Sequence, residues 1–475
     1  MALQRKAYDD FLKWKSAPDR RALLVTGARQ VGKTYLIREF GRNEYEVFLE
    51  INFIETPKAR EIFEGDLDAD TLVANLTAFT KVPLVPGQTL VFFDEIQECP
   101  RARTAMKFLV EDGRFDYIES GSLLGVSYKE VPSYPVGYEQ HLRMYPLTLR
   151  EFFDAIGQND QTLELVRERM RNREPIPTAI HERLLRAFSL YMVVGGMPAA
   201  VERFNETSDL SHVLAVQQDI VDLYRQDIAK YGDDRPHIKM IFDAIPEELD
   251  KKNKRFKLSD LAKSARMERY ASDFMWVADA GVGLPCYNVK APELPLSLNA
   301  QHNLFKLFLC DVGLLSAQTS GDARFDLLQG NLAVNWGSML ENAIAQELTA
   351  HGFDLRYFDK AKYGEVDFVI EKGSKALPIE AKSGKDYEKH KALDNVMAVR
   401  EWGIDSAIVF CRGNVREEGK VLYLPWYAVM FIEKERGPQK IDLAEFLGWT
   451  SRCTFPHRAA SPASRPLQTP GRAWR

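Results

Sequence analysis

Residues 27–34 have the residue types and spacing of a phosphate-binding loop. They read Gly-Ala-Arg-Gln-Val-Gly-Lys-Thr, between an apolar strand pattern and a helix pattern. In such a loop the backbone N–H groups point at phosphates, Lys33 reaches the β- and γ-phosphates, and the Thr34 hydroxyl holds Mg²⁺. The alternative, a glycine-rich turn that happens to contain Lys-Thr, fits these flanks poorly. The pattern predicts that a nucleoside triphosphate is bound by Gly27, Ala28, Arg29, Gln30, Val31, Gly32, Lys33 and Thr34.

A second candidate element ends in two adjacent carboxylates. Asp94 and Glu95 follow the run Thr-Leu-Val-Phe-Phe at 89–93. Asp94 is expected to complete the Mg²⁺ coordination with Thr34, and Glu95 to orient and deprotonate the attacking water. An acidic pair after a strand is weak evidence alone, but about sixty residues separate it from the loop, which is room for two further strand–helix units. After the next strand, Ser120 and Ser122 are either γ-phosphate contacts or ordinary turn residues.

The C-terminal third carries acids in a pattern typical of metal-dependent phosphodiester chemistry. Asp367 lies in one strand pattern, and Glu380 and Lys382 share a face of the next, because alternate residues of a strand point the same way. If the strands pair as a hairpin, Asp367 lies beside them, and Glu341 on the preceding helix can approach the same ion. Two carboxylates can hold Mg²⁺ while Lys382 positions water or stabilises developing charge. The alternative is an exposed strand in which Glu and Lys simply alternate.

The elements that position these residues begin with a parallel sheet. Apolar strand patterns alternate with helix patterns in residues 1–155, which predicts an α/β domain wrapped by helices. Residues 156–235 lose the strand patterns and are predicted to form a helical lid over the nucleotide. The candidate strands of the first domain are 22–26, 47–53, 89–94, 115–120 and 141–145.

Residues 236–318 are predicted to form a winged helix-turn-helix, with strands at 286–290 and 304–309. The apolar residues of its first helix fall on one face: Ile238, Ile241, Phe242, Ile245 and Leu249. Further helix patterns begin at Lys257 and Glu268. A local concentration of basic residues is compatible with DNA phosphate contacts: Lys251, Lys252, Lys254, Arg255, Lys257, Lys263, Arg266 and Arg269. A protein-packing module with a solvated lysine face is the alternative.

Composition bounds the class of protein. A chain of 475 residues has room for about three domains, and its net charge of −5 gives no global indication of nucleic-acid binding. The five cysteines lack Cys-x-x-Cys spacing, which argues for a reducing compartment. No signal-peptide core begins the chain and no apolar run approaches the ~18 residues of a membrane span, so a cytoplasmic protein without a membrane partner is expected. Residues 451–475, rich in Arg, Pro and Ser, are predicted to be a disordered basic tail.

The combination of motifs resembles the prokaryotic AAA+ superfamily ATPases that carry an N-terminal AAA domain and a C-terminal DUF4143 domain. The resemblance covers about residues 5–440, and the residues that carry it are 27–34, 93–97, 145–152, 195–198, 311–315 and 364–368. It implies a P-loop core that uses ATP and Mg²⁺. It also implies a homo-oligomer in which a neighbouring subunit supplies an arginine, for which Arg143 is only a candidate.

The C-terminal part of this family is similar to the PD-(D/E)xK nuclease superfamily. The resemblance implies an α/β restriction-endonuclease-like domain at 325–445, with Glu341, Asp367 and Glu380 as metal ligands and Lys382 as a catalytic residue. Two functions are open. One is an ATP-hydrolysing protein coupled to a DNA-processing domain. The other is a nucleotide-gated scaffold with negligible turnover, in which the winged helix binds a protein partner and the nuclease fold is inactive. The Asp94–Glu95 pair weighs against negligible turnover.

Overall fold

The computed structural model describes residues 3–121, 133–231, 236–251, 254–256, 267–319, 336–434 and 446–447. Contacts divide the chain into Met1–Lys434 and Glu435–Arg475, and the features below lie in the first unit. The predicted tail at 451–475 lies outside the described residues. The strands are β1 (Ala22–Thr26), β2 (Val47–Asn52), β3 (Thr89–Asp94), β4 (Asp116–Ser120), β5 (Glu139–Arg143), β6 (Gly283–Val289), β7 (Ala300–Leu309), β8 (Arg356–Lys360), β9 (Gly364–Val366), β10 (Phe368–Lys372), β11 (Lys375–Ala381), β12 (Ala407–Cys411), β13 (Arg416–Glu418) and β14 (Val421–Pro425).

The helices follow the order of the sequence patterns, with short 3-10 turns between some of them. They are α1 (Lys6–Lys15), α2 (Lys33–Glu44), α3 (Ala69–Thr80), α4 (Pro100–Asp112), α5 (Leu149–Ala155), α6 (Asp160–Asn172), α7 (Thr178–Val194), α8 (Pro198–Thr207), α9 (Leu210–Tyr231), α10 (Pro236–Asp250), α11 (Met267–Asp279), α12 (Val312–Thr319), α13 (Trp336–Ala350) and α14 (Lys391–Met397). Within the part of the chain that the structure describes, no single helix is long and apolar enough to cross a membrane. The bent pair α7 and α8 meets that test only when joined.

The first sheet is parallel and five-stranded, in the order β2-β3-β4-β1-β5. Strands β1 and β3 are buried along their whole length, as expected for apolar runs covered by helices on both faces. The predicted α/β class is confirmed. Strand β5 begins at Glu139, two residues before the predicted start, because it is an edge strand with mostly exposed side chains and its polar beginning has no apolar pattern.

Helices α5 to α9 follow the sheet, as the loss of strand patterns predicts. Helix α5 begins with a capping box, in which the Thr148 hydroxyl accepts from the Glu151 N–H and the Glu151 carboxylate accepts from the Thr148 N–H. Most apolar residues of α7, among them Tyr191, are buried in the large core that also holds Leu23 and Val25 of β1. The first sheet and these helices therefore share a core.

In the region predicted as a winged helix, α10 precedes α11 and the antiparallel pair β6–β7. All five apolar residues predicted on one face of α10 are buried. The helix predicted from Lys257 lies outside the described residues. Strand β6 also pairs in parallel with β8, so β6 and β7 lie in the sheet β7-β6-β8-β9. The hairpin therefore shares a sheet with strands of the C-terminal part.

The C-terminal part contains a second five-stranded sheet, in the order β10-β11-β12-β14-β13. Strands β10 and β11 form the predicted antiparallel hairpin, with Phe368 opposite Ile379. Helix α13 is buried over nearly its whole length and contacts α7, β7 and β11. It connects the C-terminal sheet to the helices behind the first sheet.

Candidate nucleotide site and C-terminal acidic cluster

The backbone of residues 27–34 requires glycine at both glycine positions of the motif. Gly27 has φ of +147°, and a Cβ there would lie 2.2 Å from the carbonyl oxygen of Met144. Gly32, the N-cap of α2, has φ of +88°, in the left-handed region where an L side chain is strained. Helix α2 begins at Lys33 directly behind it. The loop therefore presents its N–H groups at the positive end of a helix, where phosphates are bound in other proteins.

The Lys33 side chain lies within the loop. Its Nζ donates to the carbonyl oxygens of Gly27, at 3.0 Å, and of Ala28, at 2.9 Å. Burial lowers the pKa of Lys33 to about 8, although the nearby carboxylates of Glu95 and Asp94 favour the charged form. A triphosphate would supply further negative charge, so binding is expected to restore the pKa towards its ordinary value.

Asp94, at the end of β3, accepts hydrogen bonds from the last residues of two other strands, from the residue that follows it and from the last residue of the phosphate loop. Its carboxylate accepts from Thr34 Oγ1 at 3.2 Å, Asn52 Nδ2 at 3.0 Å, the Glu95 N–H at 3.1 Å and Ser120 Oγ. The carboxyl ends of parallel strands meet at one edge of the sheet, which explains this convergence. Asn52 was missed in the sequence, although it ends β2 directly opposite Asp94.

The donors at this edge suit Mg²⁺, which prefers oxygen ligands and commonly takes one or two protein ligands together with phosphates and water. Thr34 and Asp94 are the residues that would hold it. Among the residues described, no group of three or more His, Cys, Asp or Glu side chains is arranged to hold a metal ion. A phosphate-loop site needs no such group, because the nucleotide supplies the remaining ligands.

Glu95 has an unusual backbone for a residue with a side chain. Its φ of 55° and ψ of 48° place it in the left-handed region, where non-glycine residues are uncommon and cluster at functional sites. Its carboxylate accepts from Nε2 of Gln97, a residue that was not assigned a role from the sequence. Of the two serines considered, Ser120 contacts Asp94 and Ser122 lies outside the described residues.

Segments distant in sequence hold the phosphate loop from outside. Arg5 donates to the carbonyl oxygen of Val31 at 2.9 Å, and the hydroxyl of Tyr224 on α9 donates to that of Arg29 at 2.9 Å. Arg29 also pairs with Asp227 at 2.8 Å. These contacts fix the loop from the N-terminal segment and from the helical region.

Arg143 and the turn after α11 lie next to the loop. A Cβ on Gly281 would lie 3.1 Å from the Ala28 nitrogen and 3.4 Å from the Arg143 guanidinium. Arg143 donates to the carbonyl oxygen of Ala278 at 3.1 Å within the same chain. Its role towards a neighbouring subunit stays a prediction.

In the C-terminal part, the structure brings the four predicted site residues together. Asp367, between β9 and β10, accepts from the Ala381 N–H at 2.8 Å, and Glu380 pairs with Lys382 at 2.7 Å. Burial and the carboxylates of Glu341 and Glu380 raise the pKa of Asp367. Glu341 on α13 completes the set, and all of these carboxylates lie within one acidic cluster.

That cluster also contains a lysine that the sequence analysis missed. Lys306 on β7 is fully buried, and its Nζ lies 2.5 Å from Glu365, 3.4 Å from Glu341 and 4.0 Å from Asp367. An ammonium group therefore lies among the carboxylates where a metal ion was predicted. The residues as arranged here do not fit a divalent ion at that position. The missed indication was a lysine within the apolar strand pattern at 304–309.

The basic residues near α10 are partly engaged in ion pairs. Lys251 pairs with Glu248 at 2.5 Å, and Lys254 pairs with Glu341. Four members of the predicted basic set lie outside the described residues: Lys252, Lys257, Lys263 and Arg266. The described lysines thus stabilise the protein's own carboxylates, and DNA contact here stays a prediction.

Three family models match successive parts of the chain. An AAA domain model matches residues 19–153, a domain of unknown function, DUF8612, matches residues 185–324, and DUF4143, also of unknown function, matches residues 336–428. The DUF8612 match spans the second part of the predicted lid and all of the predicted winged helix. A comparison with curated proteins gave no match.

Three solved structures are similar in part. The Walker-type ATPase PABY2304 of Pyrococcus abyssi is 13% identical with a TM-score of 0.38, covering 67% of this chain and 96% of that one. The Aeropyrum pernix ORC1 protein in complex with DNA is 13% identical with a TM-score of 0.27, covering 69% and 95%. Domain III of the Thermotoga maritima replication initiation protein DnaA is 13% identical with a TM-score of 0.24, covering 46% and 94%. TM-scores this low establish no shared function.

The two family models at the ends of the chain contain the residues of the two candidate sites described above. The AAA match contains both the phosphate loop and Asp94, and the DUF4143 match contains Glu341, Asp367 and Glu380. The chain therefore contains an N-terminal AAA domain and a C-terminal DUF4143 domain, in the order that its motifs indicate.

Proposed function

We propose that this protein binds and hydrolyses ATP with Mg²⁺ at the phosphate loop, and that its nucleotide state is communicated to the DUF4143 domain. The observation that carries the ATPase proposal is the 3.2 Å contact between Thr34 Oγ1 and the Asp94 carboxylate. It brings the last residue of the loop and the end of β3 to one point at the carboxyl edge of the sheet, where a nucleotide-bound Mg²⁺ is held in P-loop proteins.

The residues of the chain have separate tasks in this proposal. Lys33 neutralises charge on the β- and γ-phosphates, and the loop N–H groups orient the triphosphate. Asn52 and Ser120 hold the Asp94 carboxylate in place. Glu95 orients the attacking water and accepts its proton. When bound, Mg²⁺ would stabilise the negative charge that the phosphates carry during transfer.

A continuous set of contacts supports communication with the C-terminal domain. Arg5 donates to Val31 in the loop and pairs with Glu151 at 3.1 Å. Glu151 closes the capping box at the start of α5, and the next N–H in that turn, of Leu149, donates to Glu347 on α13 at 2.7 Å. A displacement of the loop on nucleotide binding would therefore be transmitted to the helix that carries Glu341.

The direct experiment measures steady-state phosphate release and nucleotide binding for three proteins. The wild type should release phosphate from ATP in a Mg²⁺-dependent manner. Glu95→Gln should bind ATP as the wild type does but lose turnover at least about a hundredfold, because a general base contributes factors of this size. Glu98→Gln, the same change three residues further along, at a partly exposed carboxylate that pairs with Arg60, serves as the control for charge and folding. Wild-type turnover in Glu95→Gln would show that Glu95 has another role.

Three further predictions concern DNA contact, subunit assembly and location in the cell. DNA contact by the basic residues near α10, a homo-oligomer that completes the ATPase site and a cytoplasmic location all stay predictions. Phosphate release with and without DNA separates a DNA-processing protein from a nucleotide-gated scaffold: stimulated turnover supports the former, and the absence of turnover under all conditions supports the latter.

A further inference from the structure

We propose that Lys306 is the resident cation of the C-terminal acidic cluster, formed by Glu341, Glu365, Asp367 and Glu380, and that this cluster takes no divalent metal ion. The inference concerns the DUF4143 domain and holds or fails independently of the ATPase proposal. The position of Lys306 determines whether a metal ion has room among these carboxylates.

The position of the Lys306 ammonium is the first argument. Its side chain is fully buried, and three carboxylates lie within 4.0 Å of Nζ. It also lies 5.1 Å from the centre of the Tyr357 ring, a favourable place for a cation. A Mg²⁺ ion requires its oxygen ligands at about 2.1 Å. An ion bridging Glu341 and Asp367 would therefore have to displace a buried ammonium that already contacts both.

Charge balance is the second argument. Three lysines serve the four carboxylates, because Lys254 pairs with Glu341, Lys382 with Glu380, and Lys306 with Glu365. The cluster therefore carries a formal charge of −1 without any metal. A divalent cation added to these residues would leave a net positive charge in a largely buried site, which is costly to desolvate.

The positions of two of the lysines in the chain are the third argument, and they suggest what the cluster does. Lys254 and Lys306 precede the DUF4143 match at 336–428, whereas the carboxylates lie within it. The ion pairs therefore fasten β7 and the segment after α10 to α13 and to the strands that follow it. In this role the acids of a nuclease-like arrangement hold two parts of the chain together.

The test counts bound Mn²⁺ in nucleotide-free, full-length protein by electron paramagnetic resonance of the free ion. Wild type and Asp367→Asn should bind the same amount, since the proposal leaves Asp367 without a metal to lose. Lys306→Met, which keeps the length of the side chain and removes its charge, should gain one Mn²⁺ per chain. The double variant Lys306→Met with Asp367→Asn should lose that ion again.

Thermal unfolding gives a second readout on the same samples. Without metal, Lys306→Met should unfold about 5–10 °C below the wild type, because removal of one partner leaves buried carboxylates unpaired. Mn²⁺ should restore part of this loss in Lys306→Met and none in the double variant. ATP turnover, measured in parallel, should persist in Lys306→Met, so failure of this inference is distinguished from failure of the ATPase proposal.

A wild-type Mn²⁺ site that disappears in Asp367→Asn or Glu380→Gln would overturn the proposal, as would Mn²⁺-dependent DNA cleavage that is lost in Asp367→Ala and Lys382→Ala. A folded Lys306→Met that gains no Mn²⁺ would show that Lys306 is not what excludes the metal. If Lys306→Met does not fold, the comparison of wild type with Asp367→Asn and Glu380→Gln decides the question.

Discussion

The backbone N–H of Leu149 donates to Oε1 of Glu347 over 2.7 Å, and both residues are fully buried. Leu149 opens the helix that follows the first sheet, and Glu347 lies on α13 of the DUF4143 domain. The same Oε1 accepts from the hydroxyl of Tyr191 at 3.1 Å. One carboxyl oxygen therefore links three parts of the chain that are far apart in sequence.

Three of the segments that carry the family resemblance meet around this point: 145–152, 195–198 and 311–315. The N–H of Gly196 donates to Asp311 Oδ2 at 2.6 Å, and that of Leu147 donates to the Gly196 carbonyl oxygen at 2.6 Å. Gln346, next to Glu347, donates to the Tyr191 hydroxyl at 2.9 Å. Nearly all buried polar groups in proteins are paired, so these internal hydrogen bonds constrain how the segments pack against one another.

Glu347→Gln should change how stability depends on pH. Burial raises the pKa of Glu347 from 4.5 to about 8, so the folded state holds this proton more tightly than the unfolded state. Its contribution to stability is therefore largest at low pH, falls as pH rises from 4.5 to about 8, and is constant above that. One pKa unit corresponds to about 1.4 kcal/mol, so the loss amounts to a few kcal/mol.

Glutamine imitates the protonated acid and keeps both accepted hydrogen bonds. Its amide would face Nε2 of His351, which lies 3.9 Å from the other carboxyl oxygen and whose Nδ1 contacts the Ile432 carbonyl oxygen. Denaturant unfolding should give similar stabilities for wild type and Glu347→Gln near about pH 5, and a more stable variant near about pH 9. Glu347→Ala, the control, should be less stable than Glu347→Gln at both pH values. A wild-type advantage at the higher pH would mean that the folded protein favours the charged form of Glu347 and would contradict its raised pKa.

ATP affinity should fall above about pH 8. In the free protein the pKa of Lys33 is lowered to about 8 by burial, and phosphate binding requires the ammonium form. Binding above this pH must therefore be accompanied by proton uptake, and the Kd should rise about tenfold per pH unit. Calorimetry in two buffers of different ionisation enthalpy measures the proton uptake directly. Equal heats in both buffers at about pH 8.5 would contradict the assignment to Lys33.

Arg5→Met should weaken ATP binding without changing the chemical step. Arg5 touches the loop carbonyl of Val31 and the carbonyl of Tyr145, but none of the residues assigned to chemistry. Loss of these buried bonds costs about 1–3 kcal/mol. We therefore expect KM for ATP to rise about tenfold while kcat changes less than about twofold.

Arg5→Lys is the matched control, because a lysine keeps the charge but cannot make the same forked set of bonds. It should give an intermediate KM. A fall in kcat with an unchanged KM in either variant would place Arg5 in the chemical step and contradict its positioning role.

The geometry of the candidate nucleotide site could be predicted largely from the sequence, because the patterns that specify it are local. The apolar runs of β1 and β3 identify buried strands, and the glycines at 27 and 32 supply backbone conformations that the loop requires. Asp94 follows from its place at the end of a strand in the same sheet. The order of the strands was not needed for this, because all parallel strands end at the same edge.

The sequence analysis missed side chains that the fold brings to the two sites from distant parts of the chain. Arg5 lies 26 residues from Val31, and Lys306 lies 35 residues from Glu341. No periodicity of a helix or a strand relates such pairs. The sequence did contain an indication of the role of Lys306, because a lone lysine in an apolar strand needs a carboxylate partner once it is buried. Which carboxylates it finds depends on the pairing of β6 with β7 and β8, which the sequence does not specify.

The most direct test of the central claim is isothermal titration calorimetry of the folded full-length protein with ATP and Mg²⁺, with Lys33→Ala as the matched control. We expect saturable binding of one ATP per chain in the wild type and no detectable binding in Lys33→Ala at the same concentrations. Equal binding by both proteins, or no binding by a wild type shown to be folded, would contradict the assignment of the phosphate loop as a nucleotide site.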